Sequence, residues 1–129
     1  MFVATGVSPF SGQCVHFRHF APEPKEYAVR RYQFEAERHY GVLEGRLKDR
    51  AYILGPDYTI VDMAMWGWAR LAPFVMGEGI WAKFPEVKRW FDTVNARPAA
   101  ARADGLKAVH SFKTEWDADA KGHMFKHLQ

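Results

Sequence analysis

The sequence predicts an all-α chain: about five helices packed as a bundle around a buried central helix. Apolar residues recur at steps of three and four over long stretches. No stretch alternates apolar and polar residues as a half-buried strand does, and no hairpin dipeptide lies between strand-like runs. The 129 residues suit one main domain, and 48% hydrophobic with 16% aromatic residues is enough to fill its core.

The first helix is expected from Pro9 to Phe20. Ser8 would be its N-cap, and Pro9 suits the first helical position because it lacks a donor that would be unpaired there. Gly12 weakens or bends it, and Ala21-Pro22-Glu23-Pro24 stops it, since each proline turns its predecessor away from helical dihedrals. The second helix runs from Lys25 to Arg50. Val29, Tyr32, Ala36, Tyr40, Leu43 and Leu47 line one face, while Glu26 ahead of Arg30 and Glu44 ahead of Lys48 form i to i+4 pairs on a solvated outer face. Leu54-Gly55-Pro56-Asp57 is turn chemistry.

Thr59-Ile60-Val61-Asp62 fits a capping box, a structural N-cap in which Thr59 and Asp62 exchange side-chain to backbone hydrogen bonds. Tyr58 and Met63 flank it at the positions of a hydrophobic staple. The helix that follows carries Met63, Met65, Trp66, Trp68, Leu71, Phe74 and Val75 over every face, so neighbours are expected all round it. Arg70 there needs a partner, for which Asp92 or a glutamate is a candidate. Pro85 opens a helix with Val87, Trp90, Phe91 and Val94 on one side, and Arg97-Pro98 closes it. A last helix spans Ala99 to Val109. The domain is thus expected over residues 1–110, with 111–129 a tail that docks or hangs free and shows no sustained period.

Eighteen Lys+Arg against 15 Asp+Glu leave +3, without a basic block that would clamp a phosphate backbone, so nucleic acid is not expected as a partner. The longest apolar stretch, Ile60 to Met76, is interrupted by Asp62, Arg70 and Pro73 and falls short of the roughly 20 residues that span a bilayer. No membrane association is expected. A lone cysteine, Cys14, and no secretory leader pattern at the amino terminus point to a cytoplasmic protein.

No phosphate loop, zinc-protease pair, nucleophile elbow or Cys-x-x-Cys is present. His16 and His19, three apart, and His123 and His127, four apart, have metal-sharing spacing but no evident third ligand, so no metal is expected. Cys14 reads as a structural thiol, because a nucleophile needs an activating neighbour. Trp66 and Trp68 read as core or as the wall of an apolar substrate pocket. Arg31 borders the apolar stripe of the second helix. On its residues alone it is either solvated or aimed at a carboxylate in a cleft, where a planar fork binds two oxygens.

Tyr58-Thr59-Ile60-Val61-Asp62-Met63-Ala64 resembles the capping motif that begins the central helix in the carboxy-terminal domain of cytosolic glutathione transferases. Gly12-Gln13, His16-Phe17, Ala21-Pro22, Tyr27-Ala28, Arg31-Tyr32, Val42-Leu43, Arg46-Leu47, Trp66, Trp68, Phe84-Pro85, Val87, Trp90 and Arg97-Pro98-Ala99 are together similar to the bacterial nu-class branch, which includes disulfide-bond reductases. The likeness runs from about Gly6 to about Leu106. Val61 stands where the family usually has alanine, and Gly67 where the branch usually has proline.

The resemblance implies glutathione as co-substrate, a small electrophile or a disulfide or peroxide as second substrate, and either a homodimer or a thioredoxin-like partner domain. It implies that Arg31 contacts a glutathione carboxylate, with Gln13 and His16 near the same site and the dimer interface. Family members begin with a thioredoxin-like domain that stabilises the thiol; no counterpart of it occurs in these residues, so no catalytic residue is expected here and the chain alone is not expected to turn over. A helical interaction or dimerisation module, or a truncated remnant, is the alternative.

Overall fold

The computed structural model describes residues 1–110 and 113–128. The expected tail therefore falls partly outside the described residues, at 111, 112 and 129. Among the described residues all regular structure is helical, in more segments than the five expected, and no strand occurs. The chain forms two compact units, Met1–Arg97 and Pro98–Gln129.

The first unit starts with one continuous helical run over residues 3–20, whose regular middle, α1, is Ser8–Val15. Ser8 is not its N-cap. The chain is already helical from Val3, and the Ser8 amide reaches back five residues to the Val3 carbonyl. That wide turn sits directly before Pro9, which has no donor and whose ring crowds the preceding turn. A second wide stretch, His16–Phe20, ends the run where Ala21 turns extended ahead of Pro22.

Helix α2, Glu26–Leu47, places Ala36, Tyr40, Leu43 and Leu47 in the core, as the periodicity requires. It ends three residues before Arg50, with Asp49 at a φ of 58° just beyond. The Glu26–Arg30 pair forms at 3.8 Å, but Glu44 does not serve the outer face. Its carboxylate accepts from the amides of Glu86 and Val87 at 3.0 and 2.9 Å, in the first turn of α5, Pro85–Asn95. Two unpaired amides at a positive helix terminus bind a carboxylate better than one solvated lysine does.

Helix α3, Ile60–Ala69, opens with the expected capping box. Thr59 Oγ1 accepts from the Val61 amide at 3.3 Å, and Asp62 Oδ2 accepts from the Thr59 amide at 2.9 Å. Asp62 is fully buried, and its Oδ1 also accepts from the Ile53 amide at 3.0 Å and from Trp90 Nε1 at 2.8 Å. The cap thereby ties the turn before α3 and the core of α5 to one carboxylate. Tyr58 lies 5.6 Å from the Tyr52 ring, with the Arg97 guanidinium 3.8 Å over its own.

The helix breaks at Arg70-Leu71 and restarts as α4, Ala72–Met76, with Pro73 in its first turn. Among the described residues neighbours do not surround α3: Asp62, Met65 and Ala69 are buried and Val61, Trp66 and Trp68 partly so, whereas Ile60 and Met63 are 77% and 51% exposed. A tight 3-10 stretch, Glu78–Lys83, follows Gly77, whose φ of 110° favours glycine. α1 packs on α2 and α4, and α5 on α2 and α3, around Trp90, Tyr40, Leu43 and Met65.

The second unit contains α6, Pro98–Val109, and α7, Ala118–Met124. α7 corrects the expectation of an aperiodic tail: Asp117 caps it by accepting from the Ala120 amide at 2.9 Å. Among the described residues no helix is long and apolar enough to cross a membrane.

Candidate functional site

The site expected around Arg31 lies where the first helical run meets the front half of α2. Tyr32 turns inward, and the Phe17 ring stacks on it at 5.4 Å, nearly parallel. His16 meets Phe17 edge-on at 4.9 Å and is half-buried. These contacts hold the first run against α2 and leave Arg31, next to Tyr32, on the flank with 47% of its side chain exposed. His16 is thus joined to the neighbourhood of Arg31 through the Phe17 and Tyr32 rings, while Gln13 is exposed on α1.

Arg31 is not simply solvated. Its Nη1 donates to Oε1 of Glu35, one turn on, and Arg38 Nε donates to Oε2 of the same carboxylate at 2.8 Å. The Arg38 and Arg31 hydrogen bonds hold the Glu35 carboxyl below the ordinary carboxylate range. The same bond to Glu35 raises the pKa of the Arg31 guanidinium, so Arg31 is permanently cationic. The assembly of two cations and one anion keeps a net positive charge, and a guanidinium edge left toward solvent has the geometry that pairs with planar oxygens.

The two tryptophans do not form one wall. Residues two apart on a helix point to opposite sides. Trp66 Nε1 donates to Asn95 Oδ1 at 3.0 Å, and the Arg70 guanidinium lies 5.2 Å over its ring. Trp68 lines an open, mainly apolar cavity of about 780 Å³ together with Phe2, Val42, Leu54 and Ile60. Asp92, the proposed partner of Arg70, accepts from Lys88 at 2.6 and 2.7 Å.

Cys14 is fully buried, and its Sγ–H donates to the Val75 carbonyl at 3.2 Å. Burial pushes the thiol up, against an opposing pull from Arg18. A protonated thiol inside the core is no nucleophile. His19 Nε2 lies 2.8 Å from the Phe74 carbonyl, with its ring stacked on Phe74 at 4.0 Å. His123 Nδ1 lies 2.9 Å from the Asp119 carbonyl. No group of three or more metal-ligating side chains occurs among the described residues.

A capped α3 tied to a buried tryptophan of α5, with a first helix laid along α2, matches a known pattern: the family model of the glutathione S-transferase C-terminal domain covers residues 6–98. The chain belongs to this family. The glutathione transferase domain here is 38% identical over 98 residues to the disulfide-bond oxidoreductase YfcG of Escherichia coli, spanning 76% of this chain and 45% of that protein. It is 36% identical over 111 residues to the disulfide-bond oxidoreductase YghU of the same organism, spanning 79% of this chain and 38% of that one.

Among solved structures, the glutathione transferase URE2P6 of Phanerochaete chrysosporium, in complex with oxidized glutathione, superposes with a TM-score of 0.78 at 29% identity, covering 85% of this chain and 51% of its own. A glutathione transferase family member from Pseudomonas fluorescens with two glutathione bound gives 0.73 at 37% identity, covering 79% and 47%. The resemblance drawn from the capping motif and the early Gly-Gln and His-Phe residues is therefore borne out, branch included. The chain spans about half the length, or less, of the relatives it matches.

Proposed function

We propose that this domain is the helical, substrate-side half of a glutathione-dependent enzyme that reduces disulfides or peroxides or conjugates a small electrophile. The observation that carries the reading is Arg31: a permanently charged, half-exposed guanidinium, held in place from below, in a domain whose solved relatives include glutathione complexes. In this reading Arg31 binds a carboxylate of the tripeptide, and His16 and Gln13 border the same site. Trp68 and the apolar cavity beside it offer a surface to the second substrate, with Trp66 on the opposite side of α3.

The thiol chemistry belongs to a thioredoxin-like half, which would favour the thiolate, the nucleophile in conjugation and in disulfide exchange alike. No residue of this chain is assigned to that step. The reading places the protein in the cytoplasm, where glutathione is abundant and a lone buried thiol stays reduced. In this reading residues 1–110 count as the domain and 111–129 as a tail that includes the short helix α7, and the working unit is a homodimer or a pairing with a thioredoxin-like domain.

Titration of the chain with glutathione and with glutathione disulfide at millimolar concentrations tests the reading, and saturable binding of at least one is expected. The exposed Ile60 and Met63 favour one other reading, a helical interaction module. Absence of binding, together with self-association that grows with protein concentration, would select it.

A further inference from the structure

Arg31, Glu35 and Arg38 belong to one assembly that reaches from α2 into the first helical run. The Glu35 side chain is only 9% exposed, and both of its oxygens are taken by guanidinium groups of its own helix. Behind it, His39 Nδ1–H donates to the Glu35 main-chain carbonyl at 2.7 Å, which leaves Nε2 to accept from Arg38 Nη2 at 3.4 Å. His39 is itself clamped. Its ring stacks on Phe10 at 5.1 Å and lies 5.8 Å from Phe2, and Gly6 approaches so closely that a Cβ there would stand 2.6 Å from the imidazole.

The purpose of this arrangement is not stability alone, since replacing a buried ion cluster by apolar side chains is often neutral or favourable. What the cluster does produce is a net charge of +1 and two guanidinium groups fixed relative to one another. The Arg31 and Arg38 side chains are 47% and 48% exposed, so both keep donor edges toward solvent. A long arginine normally loses rotamer freedom when it grips an anion; here that loss has occurred before the ligand arrives.

We propose that Arg38 is a second carboxylate-binding residue beside Arg31, and that Glu35 is the positioning residue that holds the two guanidinium groups as one fork. The proposal rests on the reading of Arg31 as a carboxylate contact and extends it to the glutathione molecule as an anion gripped from two directions.

The test uses the full chain and two probes, glutathione and glutarate, a plain dicarboxylate. The Nε–H resonances of Arg31 and Arg38 are followed during titration while thermal melting monitors the fold. Both signals are expected to move together and to saturate, less so at high salt. Arg38→Gln and Glu35→Met are each expected to weaken binding about tenfold, and Arg38→Lys, which restores the charge without the fork, to recover only part. Glu35→Met leaves two guanidinium groups without their shared carboxylate and is expected to melt below the parent while still folding; Glu35→Gln, closer in shape, carries the same expectation for binding if Glu35→Met does not fold.

The sign of the Glu35 effect is decisive. A carboxylate that merely repels an incoming anion gives tighter binding when removed, so tighter or unchanged binding in the Glu35 variants overturns the proposal. Movement of the Arg31 signal alone, or of neither signal with either probe, overturns it as well. Movement with glutarate but not with glutathione upholds the fork and removes glutathione as its ligand.

Discussion

Asp62→Ala withdraws one carboxylate from four donors at once. The Ile53 amide and Trp90 Nε1 are bonded to Oδ1 at 3.0 and 2.8 Å, and Trp90 is fully buried. Each is left without an acceptor in a place that water does not easily reach, at a cost of about 1–3 kcal/mol apiece. The Thr59 amide and hydroxyl, bonded to Oδ2 at 2.9 and 3.0 Å, are only partly buried and can be rehydrated. Their loss is nearer the ~1 kcal/mol of an ordinary helix cap. The total is about 3–7 kcal/mol, against about 5–15 kcal/mol of stability for a whole domain.

The assay is urea unfolding followed by tryptophan fluorescence, with the midpoint compared at unchanged slope. Trp90→Phe in the same background should recover part of the loss, because it removes one of the stranded donors. A loss below about 1 kcal/mol in Asp62→Ala would mean that the carboxylate is not what joins α3 to α5, and the reasoning would fail.

Glu44→Ala should destabilise by about 1–2 kcal/mol, because it uncaps the first turn of α5, whereas Lys48→Ala should change little; chemical denaturation of the two variants checks both. Glu35 and Glu37 have lowered pKa values in the folded chain, Glu35 through Arg38 and Arg31, and Glu37 because Gln33 and Lys83 together outweigh the effect of burial. A carboxyl whose folded pKa lies below its unfolded one adds stability above the unfolded value and loses it on acidification. Melting temperature is therefore expected to be flat near neutrality and to fall below about pH 5; a rise on acidification would contradict the pairing. Cys14 should resist a thiol reagent in the native state and react at once in denaturant, and rapid native labelling would place it at the surface.

Contacts a few residues apart were legible in the sequence; contacts between distant elements were not. The α2 stripe and the Thr59–Asp62 box rest on spacings of three and four, so both could be read before any neighbour was known. That Asp62 would also hold Trp90, 28 residues on, leaves no local trace. Glu44 shows the same limit from the other side. Its i to i+4 lysine was visible, but the α5 amides that outcompete it were not. Ser8 reads as an N-cap because Pro9 resembles a helix start when the wide turn ahead of it is unknown.

In the site, Arg31 stood out only through resemblance. The signal that could have found its companions is the Arg31, Glu35, Arg38 spacing of four and three, which puts all three on one face with the carboxylate in the middle. Gly67 carried no such information: it is exposed, and a Cβ added there meets open space.

The central proposal is that this helical domain carries a glutathione carboxylate subsite built on Arg31. Isothermal titration of the parent chain and of Arg31→Ala with glutathione tests it most directly. The account predicts weak, saturable binding by the parent and a loss of about tenfold or more in the variant, the size expected for a charge-assisted pair. Equal binding by the two chains, or none by the parent, would contradict it.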